Sequence, residues 1–138
     1  MPQLGEADRQ AVVRMFAGAS RPVEVRVVDP AAEASGQQGF VSLLREVSEL
    51  APMVRVRTGT PDELGVTVER TPALILFDAE GRDLRVRFSG FPNGYEFASL
   101  LAALTDAAAE GTSLAPATVS ALEALAQDVA IKVFTTPT

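Results

Sequence analysis

The sequence contains no cysteine and no histidine, and these two absences restrict its chemistry more than any other feature. A chain without cysteine forms no disulfide and supplies no thiolate for thiol–disulfide exchange. Zinc sites are built mainly from cysteine and histidine, so no zinc site is expected. Without histidine, the serines lack the usual partner that activates a serine nucleophile. We therefore expect no metal, no cofactor and no catalytic residue in the chain as given.

Positive charge and long apolar runs are also scarce. The 138 residues include twelve basic and eighteen acidic side chains, which gives a net charge of −6. Binding to nucleic acid needs clustered positive charge, so no nucleic-acid partner is expected. No apolar run approaches the ~18 residues of a membrane span, and the first residues lack the pattern of a signal peptide. We therefore expect no membrane contact and a cytoplasmic location.

The spacing of apolar residues predicts helices and strands that alternate along a single α/β domain. Helices are predicted at 6–17, 40–50 and 95–108, with a brief one from Thr60, and strands at 23–28, 54–57, 73–77 and 84–89. The first two strands are joined through a helix and should be parallel, whereas the last two form a hairpin around the turn at 78–82. This order predicts a four-stranded mixed sheet with helices on both faces.

Capping boxes are predicted at two helix starts. Thr60 with Glu63 fits the pattern before the brief helix, and Asn93 with Glu96 fits it before the helix at 95–108.

Four arginines alternate with apolar residues in the predicted strands, namely Arg55, Arg57, Arg85 and Arg87. This alternation favours a solvated sheet face. A patch that binds an anion or a protein partner is the alternative.

A Thr-Pro pair, Thr71 and Pro72, stands directly before the most apolar predicted strand. Proline fits a strand only at its first residue or at an edge, and X-Pro bonds are the ones that adopt the cis form at low cost. We therefore expect a cis proline at Pro72. A proline in this place, within an alternating α/β pattern, is typical of the thioredoxin fold.

Residues 111–138 are predicted to lie outside the thioredoxin-like domain at 1–110. A helical pattern at 116–126 is followed by a strand pattern at 129–134, which repeats the helix-then-strand order at the start of the chain. This order predicts a linker helix and the first strand of an incomplete second thioredoxin-like unit. Because an isolated strand leaves backbone groups unpaired, this strand should pair with its own sheet or with a second copy, and the second alternative would give a homodimer through the C-terminal tail.

Five segments carry a resemblance to known proteins: 21–24, 44–50, 71–73, 87–100 and 133–138. They resemble the N-terminal half of the tandem thioredoxin-fold proteins. This group comprises the glutaredoxin-like protein disulfide oxidoreductases and the N-terminal region of the alkyl hydroperoxide reductase flavoprotein subunit. The most specific part of the resemblance is the stretch 88–100 within the fourth of these segments.

The resemblance implies where members of this group carry the redox-active cysteines that this chain lacks. Oxidoreductase members often carry Cys-x-x-Cys after the first strand, where this chain has Ala34, Ser35, Gly36 and Gln37. In both groups another Cys-x-x-Cys directly follows the segment that matches 133–138. The resemblance therefore implies that a downstream thioredoxin-like unit transfers electrons to a protein disulfide or a peroxiredoxin.

Two candidate binding sites follow. In active relatives the residue before the proline offers backbone hydrogen bonds to a bound peptide, which makes Thr71 and Pro72 candidates. Residues 34–37 precede the second predicted helix, where free N–H groups favour an anion. For both sites a purely structural role is the competing interpretation.

These observations leave two functional hypotheses. The first is a redox-inactive thioredoxin-fold domain of a thiol–disulfide oxidoreductase, which acts as a scaffold and docking module. The second is a stand-alone protein-interaction module with no redox role.

Overall fold

Helices and strands alternate in the computed structural model, which describes residues 2–28 and 39–136. The elements in chain order are α1 Glu6–Phe16, β1 Val23–Val28, α2 Phe40–Leu50, β2 Val54–Gly59, α3 Pro61–Leu64, β3 Ala73–Phe77, β4 Asp83–Ser89, α4 Tyr95–Ala108 and α5 Pro116–Glu123. The predicted order is therefore confirmed as far as α4.

The four strands form one mixed sheet in the order β2-β1-β3-β4. Strands β1 and β2 are parallel, with Val23 opposite Val54, as expected for strands joined through a helix. Strand β3 runs antiparallel to both β1 and β4. The register between β3 and β4 shifts between Ile75 and Phe77, and Arg85 on the opposing strand has a positive φ of 61°. This irregularity interrupts the outer edge of the sheet.

Helices cover the two faces of the sheet unevenly. The main core lies between one face of the sheet and helices α1, α2 and α4; its fully buried members include Val25, Val27, Leu44, Val47, Leu74, Leu100 and Leu104. The other face carries a smaller cluster in which Leu64 of α3 packs with Val28, Ala73, Ile75 and Phe77. The prediction of helices on both faces is confirmed. Among the described residues, the second face is covered by a four-residue helix and the loop after it.

One of the two predicted capping boxes forms. The side chain of Thr60 accepts from the backbone N–H of Glu63, and the Glu63 carboxylate accepts from the backbone N–H of Thr60. The capping box predicted from Asn93 and Glu96 is wrong. The N-cap of α4 is Gly94, with φ 61°, so Glu96 is the second helical residue and stands one position too early for a capping box.

A carboxylate at the edge of the main core fastens the start of the chain to α2. Glu46 is 8% exposed, and its side chain accepts hydrogen bonds from the backbone N–H groups of Gln3 and Leu4 and from the guanidinium of Arg9. The backbone hydrogen bond from Gln3, assisted by Arg9, holds the pKa of Glu46 below its usual value against the effect of burial.

The C-terminal part differs from the prediction. Helix α5 ends at Glu123 and buries none of its residues. The strand predicted at 129–134 does not form within the described part of the chain: residues 129–136 adopt no regular secondary structure, and no backbone hydrogen bond joins residues 126–136 to the other described residues. A strand is defined by pairing with a neighbour, and within the described residues this segment has none. Its assignment to an incomplete second unit stays a prediction.

In the portion of the chain that the structure covers, no helix is both long and apolar enough to cross a membrane.

Candidate functional site around Pro72

The site predicted at Thr71 and Pro72 lies where the chain enters β3. The peptide bond between the two residues is cis. The carbonyl of Pro72 accepts a hydrogen bond from the backbone N–H of Gly90 at 2.7 Å, which ties the proline to the loop after β4. Thr71 is exposed, and its backbone groups form no hydrogen bond with another described residue. Among the described residues, nothing therefore occupies the backbone N–H and C=O groups of Thr71, and both are available to a bound peptide.

An aromatic cluster, Phe40 with Phe91 and Phe97, connects this loop to α2. The rings of Phe40 and Phe91 stack with centroids 5.0 Å apart and planes 11° apart, and Phe97 meets Phe40 edge-on at 6.3 Å. Phe91 follows Gly90 directly and is 7% exposed, and Pro92 is buried as well. The Phe91-Pro92 pair therefore packs in the core, and it brings the first residue of α2 close to the Pro72 loop.

The second predicted site, Ala34, Ser35, Gly36 and Gln37, lies outside the described residues. The described residues on either side of it do approach Pro72. Val28, at the end of β1, is opposite Ala73 in the sheet, and Phe40 stacks on Phe91. The role of residues 34–37 in binding an anion stays a prediction.

Residues 126–136, which we call the tail, pass close to the same site. The ammonium of Lys132 lies 3.2 Å from the carboxylate of Glu69, two residues before Thr71. The hydroxyl of Thr135 donates to the carboxylate of Glu96, in the first turn of α4. The tail is thus held beside the Pro72 loop by side chains alone.

The arginines of the strands are largely neutralised. The guanidinium of Arg57 lies 3.5 Å from Glu24, that of Arg85 lies 3.3 Å from Asp128, and that of Arg87 makes two hydrogen bonds to Asp83. The side-chain hydrogen bond from Arg87 lowers the pKa of Asp83 and raises the pKa of Arg87. These pairs favour the solvated sheet face over a patch that binds an anion.

One further arginine on this face is packed. The guanidinium of Arg26 lies 3.6 Å from the centre of the Phe77 ring and donates to the carbonyl of Leu64 at 2.9 Å. A cation over an aromatic face is stabilised by the ring quadrupole. Arg26 therefore helps to close the smaller core and is not available to a ligand.

The described residues were compared with the requirements of a metal site and of a surface groove. They contain no cluster of three or more histidine, cysteine, aspartate or glutamate side chains that fits a metal ion. Two surface grooves lie beside α1 and α2, and neither shares a residue with the Pro72 loop. The chemistry that this arrangement supports is backbone hydrogen bonding to an extended peptide.

The sequence reasoning missed two features of the structure, one beside the Pro72 loop and one at the start of the chain. The aromatic cluster joins residues far apart in sequence, and no local pattern announces such a contact. Glu46 had a usable signal, because it is an acidic residue between Leu44 and Val47 on the apolar side of a predicted helix. Buried carboxylates are rare unless they are paired.

The sheet order and the helices together define a thioredoxin-like α/β fold, here in a chain without thiols. No family model matches the sequence, and no curated protein matches it. Among solved structures, the N-terminal domain (NTD_N/C) of the alkylhydroperoxide reductase AhpF from Enterococcus faecalis matches 83% of this chain, with a TM-score of 0.69 and 27% identity. A mutant of AhpF from the same organism matches 88% of the chain, with a TM-score of 0.75 and 26% identity.

A third match shows the fold alone. A protein disulfide oxidoreductase from Aeropyrum pernix matches 91% of this chain, with a TM-score of 0.65 and 22% identity. The chain spans 57%, 61% and 56% of the lengths of these three structures. Its similarity to the N-terminal domain of AhpF and to a disulfide oxidoreductase agrees with the resemblance found in the sequence.

Proposed function

We propose that this chain is a redox-inactive thioredoxin-fold domain of a thiol–disulfide oxidoreductase and that it acts as a scaffold and docking module. The observation that carries the proposal is the similarity to the N-terminal domain of AhpF in both fold and sequence, in a chain without a single cysteine. In the whole protein, a downstream dithiol unit would transfer electrons to a protein disulfide or to a peroxiredoxin. A cytoplasmic location stays a prediction from the sequence.

The docking role rests on the backbone at Thr71. An extended peptide binds through main-chain hydrogen bonds wherever a protein leaves N–H and C=O groups free at a strand end or edge. Thr71 is exposed, precedes β3 directly, and has no backbone partner among the described residues. Thr71 and Pro72 are therefore the proposed contact point, and Ala34, Ser35, Gly36 and Gln37 are proposed to complete it.

The scaffold role rests on the C-terminal part. An isolated helix shorter than about 12 residues is marginal in water, and its stability normally comes from packing of an apolar face. Helix α5 has eight residues and buries none of them. This supports a neighbouring unit against which α5 packs in the whole protein.

The stand-alone interaction module is not favoured. Two solved structures above 25% identity are of AhpF, which favours a relation to an oxidoreductase over a relation to an unrelated binding protein.

The test compares three proteins: this chain, a dithiol thioredoxin-like unit, and the two joined in tandem after Thr138. Reduction of insulin or of an oxidised peroxiredoxin is followed for each. We expect no turnover from the chain alone and a lower KM for the tandem than for the isolated dithiol unit. Turnover by this chain alone would contradict its assignment as redox-inactive. Equal KM values for the tandem protein and for the isolated dithiol unit would contradict the docking role.

Two variants of the tandem protein separate a backbone contact from a side-chain contact. Thr71→Pro removes the backbone N–H, whereas the matched control Thr71→Ala keeps the backbone and removes only the side-chain hydroxyl. We expect the first to raise KM and the second to leave it unchanged, with kcat unaffected in both. Circular dichroism of both variants is the control for folding, and we expect the spectrum of the parent protein for each.

A further inference from the structure

The segment before α1, residues 2–5, is held against α2 at two separate points, and we call it the strap. The backbone N–H groups of Gln3 and Leu4 donate to one carboxylate oxygen of Glu46, at 2.8 and 3.4 Å. The side chain of Gln3 donates to the carbonyl of Gly39 at 2.8 Å. Because Gly39 is the N-cap of α2 and Glu46 lies near its middle, the strap runs beside the first half of the helix.

Glu46 is the stronger of the two points. It is 8% exposed, and its other carboxylate oxygen accepts from the guanidinium of Arg9 in α1. A hydrogen bond to a charged group is about twice as strong as a neutral one. Leu4 also packs against the main core. Glu46 therefore joins the strap, α1 and α2.

The second point is a close contact between Gln3 and a glycine. A Cβ added at Gly39 would lie 3.0 Å from Oε1 and 3.1 Å from Nε2 of Gln3. Gly39 has a φ of −114°, which any residue adopts, so its backbone conformation does not itself call for glycine. The missing side chain at Gly39 therefore leaves the room that the Gln3 amide occupies.

The same end of α2 borders the Pro72 loop. Phe40 follows Gly39 directly, and its ring stacks on Phe91 at 5.0 Å. Gly90, the residue before Phe91, donates to the carbonyl of Pro72 at 2.7 Å. Chains of packed side chains and hydrogen bonds carry energetic coupling between separate sites. A continuous series of contacts thus leads from the strap to Pro72.

We propose that Glu46 is a positioning residue for the docking site at Pro72. It holds the strap, the strap holds the first turn of α2 through Gln3, and the stacked rings of Phe40 and Phe91 transmit this position to the Pro72 loop. Glu46 acts through these residues and needs no contact with the bound peptide. The docking part of this inference rests on the proposed function, whereas the coupling between Glu46 and the Pro72 loop does not.

Ionisation of Glu46 controls how firmly the strap is held. A carboxylate accepts at both oxygens and attracts Arg9, whereas a protonated carboxyl has no charge. The charged side chains that line one groove with Glu46 are Arg9 of α1 and Arg45 and Glu49 of α2, and the strap presents its backbone N–H groups. The hydrogen bond from the Gln3 backbone, assisted by Arg9, lowers the pKa of Glu46 against the effect of burial. The strap is therefore held at neutral pH and released as the pH falls through the folded-state pKa.

Amide hydrogen exchange of the whole chain measures both ends of this series of contacts. For Glu46→Gln we expect the protection of the N–H groups at positions 3 and 4 to fall about tenfold, which corresponds to one lost hydrogen bond to a charged group. The protection of Gly90 should fall about threefold relative to that of Val25, a fully buried residue of β1 that reports global opening. Glu49→Gln, an exposed change in the same helix, should alter neither.

The variant Gln3→Ala separates the two points. It keeps the backbone N–H that reaches Glu46 and removes only the amide that reaches Gly39. Positions 3 and 4 should keep their protection, while Gly90 should still lose about threefold relative to Val25. The effects of Gln3→Ala and Gly39→Ala at Gly90 should be less than additive, because both changes remove the same contact.

The pH profile separates this role from a purely structural one. In the parent, the protection at positions 3 and 4, corrected for the intrinsic exchange rate, should fall as Glu46 is protonated. In Glu46→Gln it should not change over the same pH range. An unchanged Gly90 in both Glu46→Gln and Gln3→Ala would overturn the proposal, and so would identical pH profiles for Glu46→Gln and the parent.

Kinetics of the tandem protein test the docking part. Glu46→Gln and Gln3→Ala should each raise KM for an oxidised peroxiredoxin about threefold and leave kcat unchanged, whereas Glu49→Gln should change neither. Loss of protection at Gly90 with an unchanged KM would refute Pro72 as the docking site, and with it the proposed contact point, while the coupling between Glu46 and the Pro72 loop would stand. An unchanged Gly90 refutes the coupling and leaves the proposed function intact.

Discussion

Replacing Phe91 by alanine tests the packing that positions the Pro72 loop. Phe91 is 7% exposed, and its ring stacks on Phe40 at 5.0 Å. Truncating a buried phenylalanine to alanine costs about 3–5 kcal/mol, because transfer energy is lost and a cavity is left. A single domain has about 5–15 kcal/mol in total, so the variant should still fold but with a large fraction of its stability removed.

Urea unfolding followed by far-UV circular dichroism measures this loss. With a slope of about 2 kcal/mol per molar urea, a loss of about 4 kcal/mol lowers the midpoint by roughly 2 M. The control is Tyr95→Ala, also an aromatic side chain near the start of α4 but 85% exposed, for which a change within about 0.5 kcal/mol is expected.

A double-mutant cycle isolates the stacking of the two rings. The variants Phe40→Ala and Phe91→Ala, alone and combined, should show a coupling energy of about 0.5–1.5 kcal/mol, the usual value for aromatic pairs beyond their buried area. A loss below about 1 kcal/mol for Phe91→Ala, or additive losses in the double variant, would show that the aromatic cluster does not join α2 to the loop after β4.

Three further predictions concern single side chains outside this cluster. Glu46→Gln should lower the urea midpoint at pH 7, while Glu49→Gln, an exposed change in the same helix, should not. The pKa of Glu46 is lower in the folded than in the unfolded state, so the ionised carboxylate stabilises the fold above the unfolded pKa of about 4.3. This contribution is lost as the pH falls through the pKa of the folded state. The stability difference between Glu46→Gln and the parent should therefore shrink on acidification. Gly65→Ala should cost about 1–2 kcal/mol in urea unfolding, because Gly65 has φ 64°; Gly18→Ala, with open space and no positive φ, should change stability by about 0.5 kcal/mol or less. Thr60→Ala should cost about 0.5–2 kcal/mol by the same measurement, since it removes the capping box of α3. The opposite order within either matched pair, or no effect at Thr60, would contradict these assignments.

Local sequence patterns predicted the elements whose stabilising groups lie within the element or next to it. The bounds of α2 were predicted correctly at 40–50, because five apolar residues recur at helical spacing after Gly39. The bounds of β3 were predicted correctly at 73–77, because Pro72 precedes the apolar run and the acidic turn follows it. In both cases neighbouring residues in the sequence determine where the element begins and ends.

The candidate site was only partly predictable, because local sequence patterns indicate some of its residues but not the contacts between distant segments. Thr71 and Pro72 were found from a local signal, the Thr-Pro pair before a buried strand. The hydrogen bond from Gly90 to Pro72 and the stacking of Phe91 on Phe40 join segments that are far apart in sequence. Contacts of this kind depend on how the chain is folded over the sheet, and a sequence pattern contains no direct record of them.

The tail shows why a strand is harder to predict from one sequence than a helix. A helix satisfies its backbone hydrogen bonds internally, whereas a strand needs the backbone of a neighbour. Val129, Ile131 and Val133 provide the alternation of a strand, yet neither edge of the sheet pairs with them. The mismatch arises because the neighbour that the pattern requires is not offered by the described sheet of the same chain. Supplying that neighbour from a following thioredoxin-like unit should therefore convert residues 129–134 into the strand that their sequence predicts.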